Sequence, residues 1–364
     1  MDSIVPRHAV ILAAGESTRT RPLTLYRPKP LITLLDRPLL AHILDELVGL
    51  VERATLVVGY RADMVEAFFG TSYRGIELHY AHQQQVNGTA GALLAVGKID
   101  EPFFLLYGDN LIAREDILGV THGRYAVAGL LVEDARAFGL LQIEDGRVRA
   151  IIEKPAHPPA NALANPGIYR FDSAVFPLLE QIKPSPRGEL ELTDLIAAIA
   201  ATEPVVPHRC TGYWVPVGNP WEALSAAQFL VASRMPEQIF IHPTAQVDPS
   251  ARIVGPCVIG PQALVGATAT VVASVLSAGA SVDAGAAIHS SWLDDGATVE
   301  SGALLAARTF EELRPTAETR GRLQRTQLIT RGAILGRGVR VAAGTQVEPG
   351  TTVVAPYADL PDRT

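Results

Sequence analysis

From Ile241 onward the chain repeats every six residues, and no other feature narrows its fold as much. Ile241, Val247, Ile253, Ile259, Val265 and Val271 mark the period. Four residues after each of the first five stands something small: Ala245, Ala251, Cys257, Ala263 and Ala269. The count resumes with Val282 and Ile288, again with Val299 and Leu305, and last with Leu335, Val341, Val347 and Val353. Each six residues make one short strand and one turn, with Gly or Pro at the corners, and stacked coils share one core, so the period predicts a parallel β-helix. Cys257 belongs to the small-residue series and reads as core, not as a nucleophile. Residues 306–330 break the period with a charged insert, expected as a loop on one face of the solenoid.

The first half follows a different rule. Apolar runs at His8–Leu12, Thr55–Val58, Ile76–Tyr80 and Phe103–Tyr107 alternate with helical spacing over Leu39–Val51, Ala62–Phe69 and Thr89–Gly97. Unbroken apolar strands separated by helices predict a Rossmann-like α/β domain with an open, mostly parallel sheet. In such sheets ligands sit beyond the carboxyl ends of the strands. A length of 364 residues suits two domains, expected at 1–235 and 236–364, with Trp221–Ser233 as a helical linker. The charge of −7 and the lack of a basic block argue against a nucleic-acid partner. Two cysteines, Cys210 and Cys257, make no disulfide framework and fit a reducing cytoplasm. The first residues do not read as a signal peptide, and no apolar run is long enough for a membrane span.

The residues after the strands carry the chemistry. His8–Leu12 empties into Ala13, Ala14 and Gly15, then Arg19 and Arg21, then Lys29 between Pro28 and Pro30. Successive backbone N–H groups cradle phosphate oxygens, Arg offers a planar fork, and Lys a compact charge. Neither of the commoner phosphate loops, G-x-x-x-x-G-K-[ST] or G-x-G-x-x-G, is present in this stretch. It resembles instead the signature L-A-A-G-x-x-T-R-x-R-P-L-T, followed by P-K-P, of sugar-phosphate nucleotidylyltransferases. Leu12–Gly15, Thr18, Arg19, Arg21–Thr24 and Pro28–Pro30 carry the match.

Further segments are similar to that family. Gln83 with Gly88-Thr89-Ala90 resembles its Q-x-x-x-x-G-T-A, which implies base reading by Gln83 and by the backbone at Gly88 and Thr89. Asp109, released after the strand Phe103–Tyr107, stands where the family carries a metal carboxylate, and a hard cation such as Mg²⁺ wants carboxylate oxygen. Asp145-Gly146 between alternating runs predicts a hairpin. Beside it, Gly139, Glu153-Lys154-Pro155 and Asn165-Pro-Gly167-Ile-Tyr169 resemble the sugar-phosphate clamp, Lys154 pairing with the phosphate. In residues 188–200 the family's E-x-x-x-T-D recurs, with Glu191 or Asp194 near the site and a helix starting at Thr193-Asp194. One departure stands out. The family ends its domain with W-x-D-[VI]-G-T-P, whose Asp is commonly a second metal ligand. Here Trp214-Val215-Pro216-Val217-Gly218-Asn219-Pro220 places Pro216 at that point, leaving Asn219 as a nearby oxygen for the metal.

The resemblance implies transfer of a nucleotidyl group from a nucleoside triphosphate (uridine or thymidine favoured) to a sugar 1-phosphate (glucose or an N-acetylhexosamine favoured). Arg19, Lys29 and Asp109 are then the catalytic set, Ala13, Ala14, Gly15, Gln83, Gly88 and Thr89 bind the nucleotide, and Mg²⁺ is the cofactor. It also implies a left-handed coil and a homo-oligomer. Two other readings compete: a regulator that binds sugar nucleotides without turnover, favoured by Pro216, and an added acetyl transfer by the β-helix at His242 or His289.

Overall fold

The computed structural model describes residues 5–132, 135, 136, 138–159, 161–313 and 326–355. The middle of the charged insert, 314–325, lies outside the described residues.

His8–Leu12 runs parallel to Arg53–Val58 on one side and Phe103–Tyr107 on the other. Ile76–His82 continues the parallel order beyond Arg53–Val58. These strands lie together towards one edge of an 11-stranded sheet. Val10, Val57 and Leu105 face the helices Thr89–Leu94 and Leu192–Ala200, whereas Ile11, Leu56 and Phe104 face the helix Leu39–Leu47. Burial on both faces is why these runs are apolar without alternation. Two helices end earlier than their spacing predicts. Gly49 and Gly97 take left-handed φ angles of 73° and 74° just beyond them, a conformation that stops a helix.

The sheet turns antiparallel towards the site. Ile168–Phe171 pairs with Phe103–Tyr107 in the opposite sense. Gly139–Glu144 and Arg147–Glu153 form the expected hairpin, turning through Asp145 and Gly146 with φ of 51° and 71°. The helix in 188–200 begins at Leu192 rather than being capped by Thr193. Glu191 holds the cap position, but its carboxylate is drawn to Arg187 instead.

The second half is a left-handed parallel β-helix of three sheets, with six, five and five strands. Ile241, Ile259, Leu276, Leu293, Leu335 and Val353 stack in one. Val247, Val265, Val282, Val299 and Val341 stack in the second, and Ile253, Val271, Ile288, Leu305 and Val347 in the third. The period restarts at Val282 because one corner is a residue shorter. Ile241 to Ile259 is eighteen positions, but Ile259 to Leu276 and Leu276 to Leu293 are seventeen. At that corner Cys257, Ser274 and Ser291 form a buried ladder. The Ser274 N–H donates to Cys257 Sγ at 3.5 Å, the Ser291 N–H to Ser274 Oγ at 3.0 Å, and the Ala333 N–H to Ser291 Oγ at 2.9 Å. The charged insert departs from the expected loop: Arg308–Leu313 and Thr326–Arg331 pair as an antiparallel hairpin.

The helix Pro220–Arg234 does more than link the two halves. Leu224, Ala227 and Val231 pack in one buried cluster with Leu23, Ile32 and Leu34 of the first half and with Val258, Val275, Trp292 and Ile334 on the outside of the coil. Beside this seam, Arg27 donates from Nη2 to Asp294 at 2.7 Å and to Asp295 at 2.8 Å. Burial pushes the Asp294 carboxyl up to about 6, with Arg27 opposing. The folded chain therefore holds a proton there between about pH 4 and pH 6 that the unfolded chain releases, so this group weakens the fold as pH rises through that window. Relative to the parent, Asp294→Asn is expected to gain on the order of 2 kcal/mol of unfolding free energy between pH 4 and pH 7, measured by urea titration at each pH. Parallel stability curves for the two proteins would contradict the assignment.

Candidate active site

The loop after His8–Leu12 folds back so that Lys29 meets the end of the neighbouring strand. Lys29 is only 7% exposed, and its Nζ lies 3.2 Å from Asp109 Oδ2. Asp109 follows Phe103–Tyr107 and Gly108, whose N–H donates to the Leu12 carbonyl at 2.9 Å, so the two strand ends open together. Lys29, Asp109, Ala13, Gly15 and Thr89 line a small recess of about 210 Å³. This recess joins a larger cavity of about 900 Å³, with Thr89, Tyr107 and Asp109 common to both.

The larger cavity brings Arg19, Gly139, Glu153, Lys154 and Asn165 to Asp109. Its floor is backbone-tight. Gly139 is paired with Glu153 across the hairpin, and a Cβ on Gly139 would stand 2.9 Å from Glu153 Oε2. The Lys154 N–H donates to the Phe138 carbonyl at 3.1 Å and the Asn165 N–H to the Gly139 carbonyl at 2.8 Å. Lys154 itself takes a left-handed φ of 44°, a conformation disfavoured for a side-chain-bearing residue and common at ligand clamps. Its Nζ is 3.7 Å from Glu153 Oε1. Tyr107 closes the wall, its hydroxyl 3.2 Å from that of Tyr169, and burial pushes its phenol up to about 12.

Several expected residues are occupied differently. Ala14 is buried and does not line either cavity; its carbonyl accepts the Tyr60 N–H at 3.2 Å. Gln83 is buried, and its amide donates to Asn87 Oδ1 and to the Gly88 carbonyl at 3.0 and 3.1 Å, within its own loop. Gly88 is required by packing: its φ is 102°, and a Cβ would fall 2.3 Å from the Leu190 carbonyl oxygen. Gly167 lies under the Tyr107 ring, 2.3 Å from where its Cβ would be. Asn165 Oδ1 accepts the Gly167 N–H at 3.0 Å. The oxygen proposed for the metal at Asn219 is already used, since Oδ1 accepts the N–H groups of Trp221 and Glu222, each at 3.0 Å, as a helix cap. His242 is half-buried and bonded to the Thr244 hydroxyl, and His289 sits on the coil strand Ala287–His289; neither lines these cavities.

Two lining residues escape a linear reading. Arg187 grips Glu191 with Nε and Nη2 at 3.1 and 2.6 Å, and its Nη1 is 3.7 Å from Glu153 Oε1. Burial would raise the Glu191 carboxyl, but the Arg187 fork holds it below the usual range. Of the acids singled out at 191 and 194, Glu191 lines the cavity, with Thr193 beside it. The available signal for Arg187 is its place immediately before the segment 188–200 that carries the E-x-x-x-T-D match. Glu222 is the second. It reaches back from the first turn of its helix to accept the Gly218 N–H at 2.6 Å, and it lines the cavity that Asp109 lines. Pro216 sits opposite Asn110, next to Asp109.

A small recess with a buried lysine thus opens on a larger cavity lined by Arg19, Asp109, Glu153 and Lys154, at the carboxyl edge of the parallel strands. Residues 8–233 match the nucleotidyl transferase family, and the chain belongs to it. The bifunctional protein GlmU of Methanocaldococcus jannaschii is 36% identical over 225 residues, 61% of this chain and 54% of that protein. The UTP–glucose-1-phosphate uridylyltransferase AglF of Haloferax volcanii is 36% identical over 233 residues, 61% of this chain and 96% of that one. The chain thus spans about half the length of the GlmU relatives it matches. A crystal structure of a UDP-glucose pyrophosphorylase with UDP-glucose shares the fold, with a TM-score of 0.56 at 22% identity over 63% of this chain and 99% of that chain. Members of the family generally use a divalent metal.

The packing role of Gly88 can be measured. Gly88→Ala, with a left-handed φ and no room for a Cβ, is expected to cost about 2–4 kcal/mol in chemical denaturation. Gly97→Ala, left-handed but with open space around it, should cost about 1 kcal/mol.

Proposed function

We propose that the protein joins a nucleoside triphosphate to a sugar 1-phosphate, releasing pyrophosphate and a nucleoside diphosphate sugar. The observation that carries this reading is the buried Lys29 beside Asp109 at the junction of the two cavities. A phosphate oxygen of the sugar 1-phosphate attacks the α-phosphorus; that P–O bond forms as the bond to the β-phosphate oxygen breaks, and the electron pair leaves with pyrophosphate. The nucleophile is already anionic, so no general base is needed, and rate comes from positioning and charge neutralisation. Lys29 and Arg19 offset the triphosphate's charge, and Lys154 and Arg187 hold the sugar phosphate. Gln83, whose amide braces its own loop, and the backbone at Gly88 and Thr89 are the groups assigned to the base. The names of the GlmU and AglF relatives favour uridine triphosphate with glucose 1-phosphate or an N-acetylhexosamine phosphate.

The donor set suits Mg²⁺. Asp109 and Glu222 offer hard carboxylate oxygens to one cavity, and among the described residues no group of three or more His, Cys, Asp or Glu forms a cage. Mg²⁺ is commonly held by one or two carboxylates, with phosphates and water completing its shell. When bound, it would neutralise phosphate charge.

Pyrophosphate release assayed across four triphosphates with several sugar phosphates tests the reading. One pair should turn over, and Lys29→Ala should lose at least about 3 kcal/mol of transition-state stabilisation, roughly a hundredfold in kcat. Release from no pair, together with tight nucleotide binding, would support the regulatory reading that Pro216 favours. Pro216→Asp places a carboxylate beside Asp109 and is expected to tighten Mn²⁺ binding at least threefold, read by electron paramagnetic resonance.

A further inference from the structure

The outer side of the Arg19–Lys29 loop rests on one corner of two successive coils. Pro22 lies against Gly336, where an added Cβ would stand 3.0 Å from the proline Cβ. The Arg337 guanidinium sits over the Tyr26 ring, 5.5 Å from its centroid. Arg27 bridges Asp294 and Asp295. Asp294 and Asp295 follow the coil strand Trp292–Leu293, and Gly336 and Arg337 follow the next coil's Ala333–Leu335. The two corners are tied together, since the Asp294 N–H donates to the Leu335 carbonyl and the Gly338 N–H to the Asp295 carbonyl, both at 2.9 Å.

Arg27 is two residues from Lys29. Pro28 caps the short turn Lys29–Leu31, and Pro30 lies within it. Proline fixes φ, so little freedom remains between the anchored position 27 and the direction in which Lys29 leaves the backbone. The Arg27 side chain is 11% exposed and that of Asp294 2%. Such a desolvated pair is weak evidence for stability in itself, and a surface loop needs no desolvated charge to hold it down. Arg27 and Asp294 are separated by 267 positions and belong to different halves of the chain.

We propose that Arg27 is a positioning residue, held by Asp294 and Asp295, that fixes Lys29 beside Asp109 and so makes the coil part of the nucleotidyl-transfer site. The kinetic consequence rests on the proposed function; the geometric one does not. In the Haloferax volcanii relative, 233 aligned residues already span 96% of the protein, which leaves almost none of it to build such a coil.

The test uses the full chain with Arg27→Met, Arg27→Lys, the double variant Asp294→Asn/Asp295→Asn, and Arg340→Ala, which removes an exposed coil ion pair with Glu300, as control. All are assayed well below their melting temperatures. Amine acetylation read by mass spectrometry reports Lys29 directly, with the exposed Lys98 as internal reference. Lys29 labelling should rise at least fivefold in Arg27→Met and in the double variant, and stay within twofold of the parent in Arg27→Lys and Arg340→Ala. In pyrophosphate release, Arg27→Met should lower kcat at least tenfold while KM for the triphosphate moves less than threefold, and Arg27→Lys should recover most of the loss. If Arg27→Met does not fold, Asp295→Asn alone takes its place. A parent that turns over no substrate pair defeats the proposed function, and the labelling then still judges the brace. Labelling of Lys29 within twofold of the parent in Arg27→Met, or kcat within twofold in an active enzyme, overturns the proposal even where the melting temperature falls.

Discussion

A lysine with 7% exposure has to keep a carboxylate within reach, and the contact of Lys29 with Asp109 fixes much else. Removing an ammonium from water is costly unless it is paired and hydrogen-bonded. The carboxylate therefore has to arrive at the same point in space, and it does so because the strands His8–Leu12 and Phe103–Tyr107 are parallel neighbours in register, Leu12 opposite Tyr107. The two residues are eighty positions apart in sequence but come from adjacent strand ends. Asp109 remains half exposed on its cavity side, so the pair is buried where the lysine is and open where a ligand's charge would enter.

The same logic explains the crowd of glycines around the site. Gly108 and Gly167 sit where the Leu12 backbone and the Tyr107 ring pass too near for a side chain, and Gly139 faces the side chains of Glu153 and Ile151. Gly108 and Gly139 thereby present bare backbone to the two cavities. Arg187, Glu191, Glu153 and Lys154 then form a chain of alternating charge along one side. Fixed dipoles and charges of this kind need no rearrangement when an anion binds.

Much of this was legible in sequence because it is local. The apolar runs gave four strands of the sheet, two of them with the bounds the structure has, and Asp145-Gly146 gave the hairpin. The hexad gave all three faces of the coil. What escaped depends on residues far apart. That Leu190 crosses Gly88, so that packing by itself requires a glycine there, has no trace in the local sequence. Asn219 looks like a free oxygen until the helix that follows is known to begin there and need a cap. Glu222 has the right chemistry but no fixed spacing to Asp109, since it is the pairing of Trp214–Pro216 with Asn110–Ile112, and the Val217 N–H on the Asp109 carbonyl, that bring the two segments together. The restart of the period at Val282 looks like a break, yet it is a shortened corner, which the Cys257–Ser274–Ser291 ladder accommodates by letting each side chain accept the N–H of the next coil.

The two halves meet through different physics on two sides of one seam. The helix Pro220–Arg234 contributes an apolar wedge, and apolar contact is non-directional, so it resists separation without specifying position. Arg27 with its two aspartates is directional and gains little stability from burial. A fold that needed only cohesion would be served by the wedge alone. A charged anchor two residues from the buried lysine supplies what the wedge lacks, a fixed registration between coil and loop. Because the coil's corners are tied to one another by main-chain hydrogen bonds, that registration is referred to a rigid stack rather than to another loop.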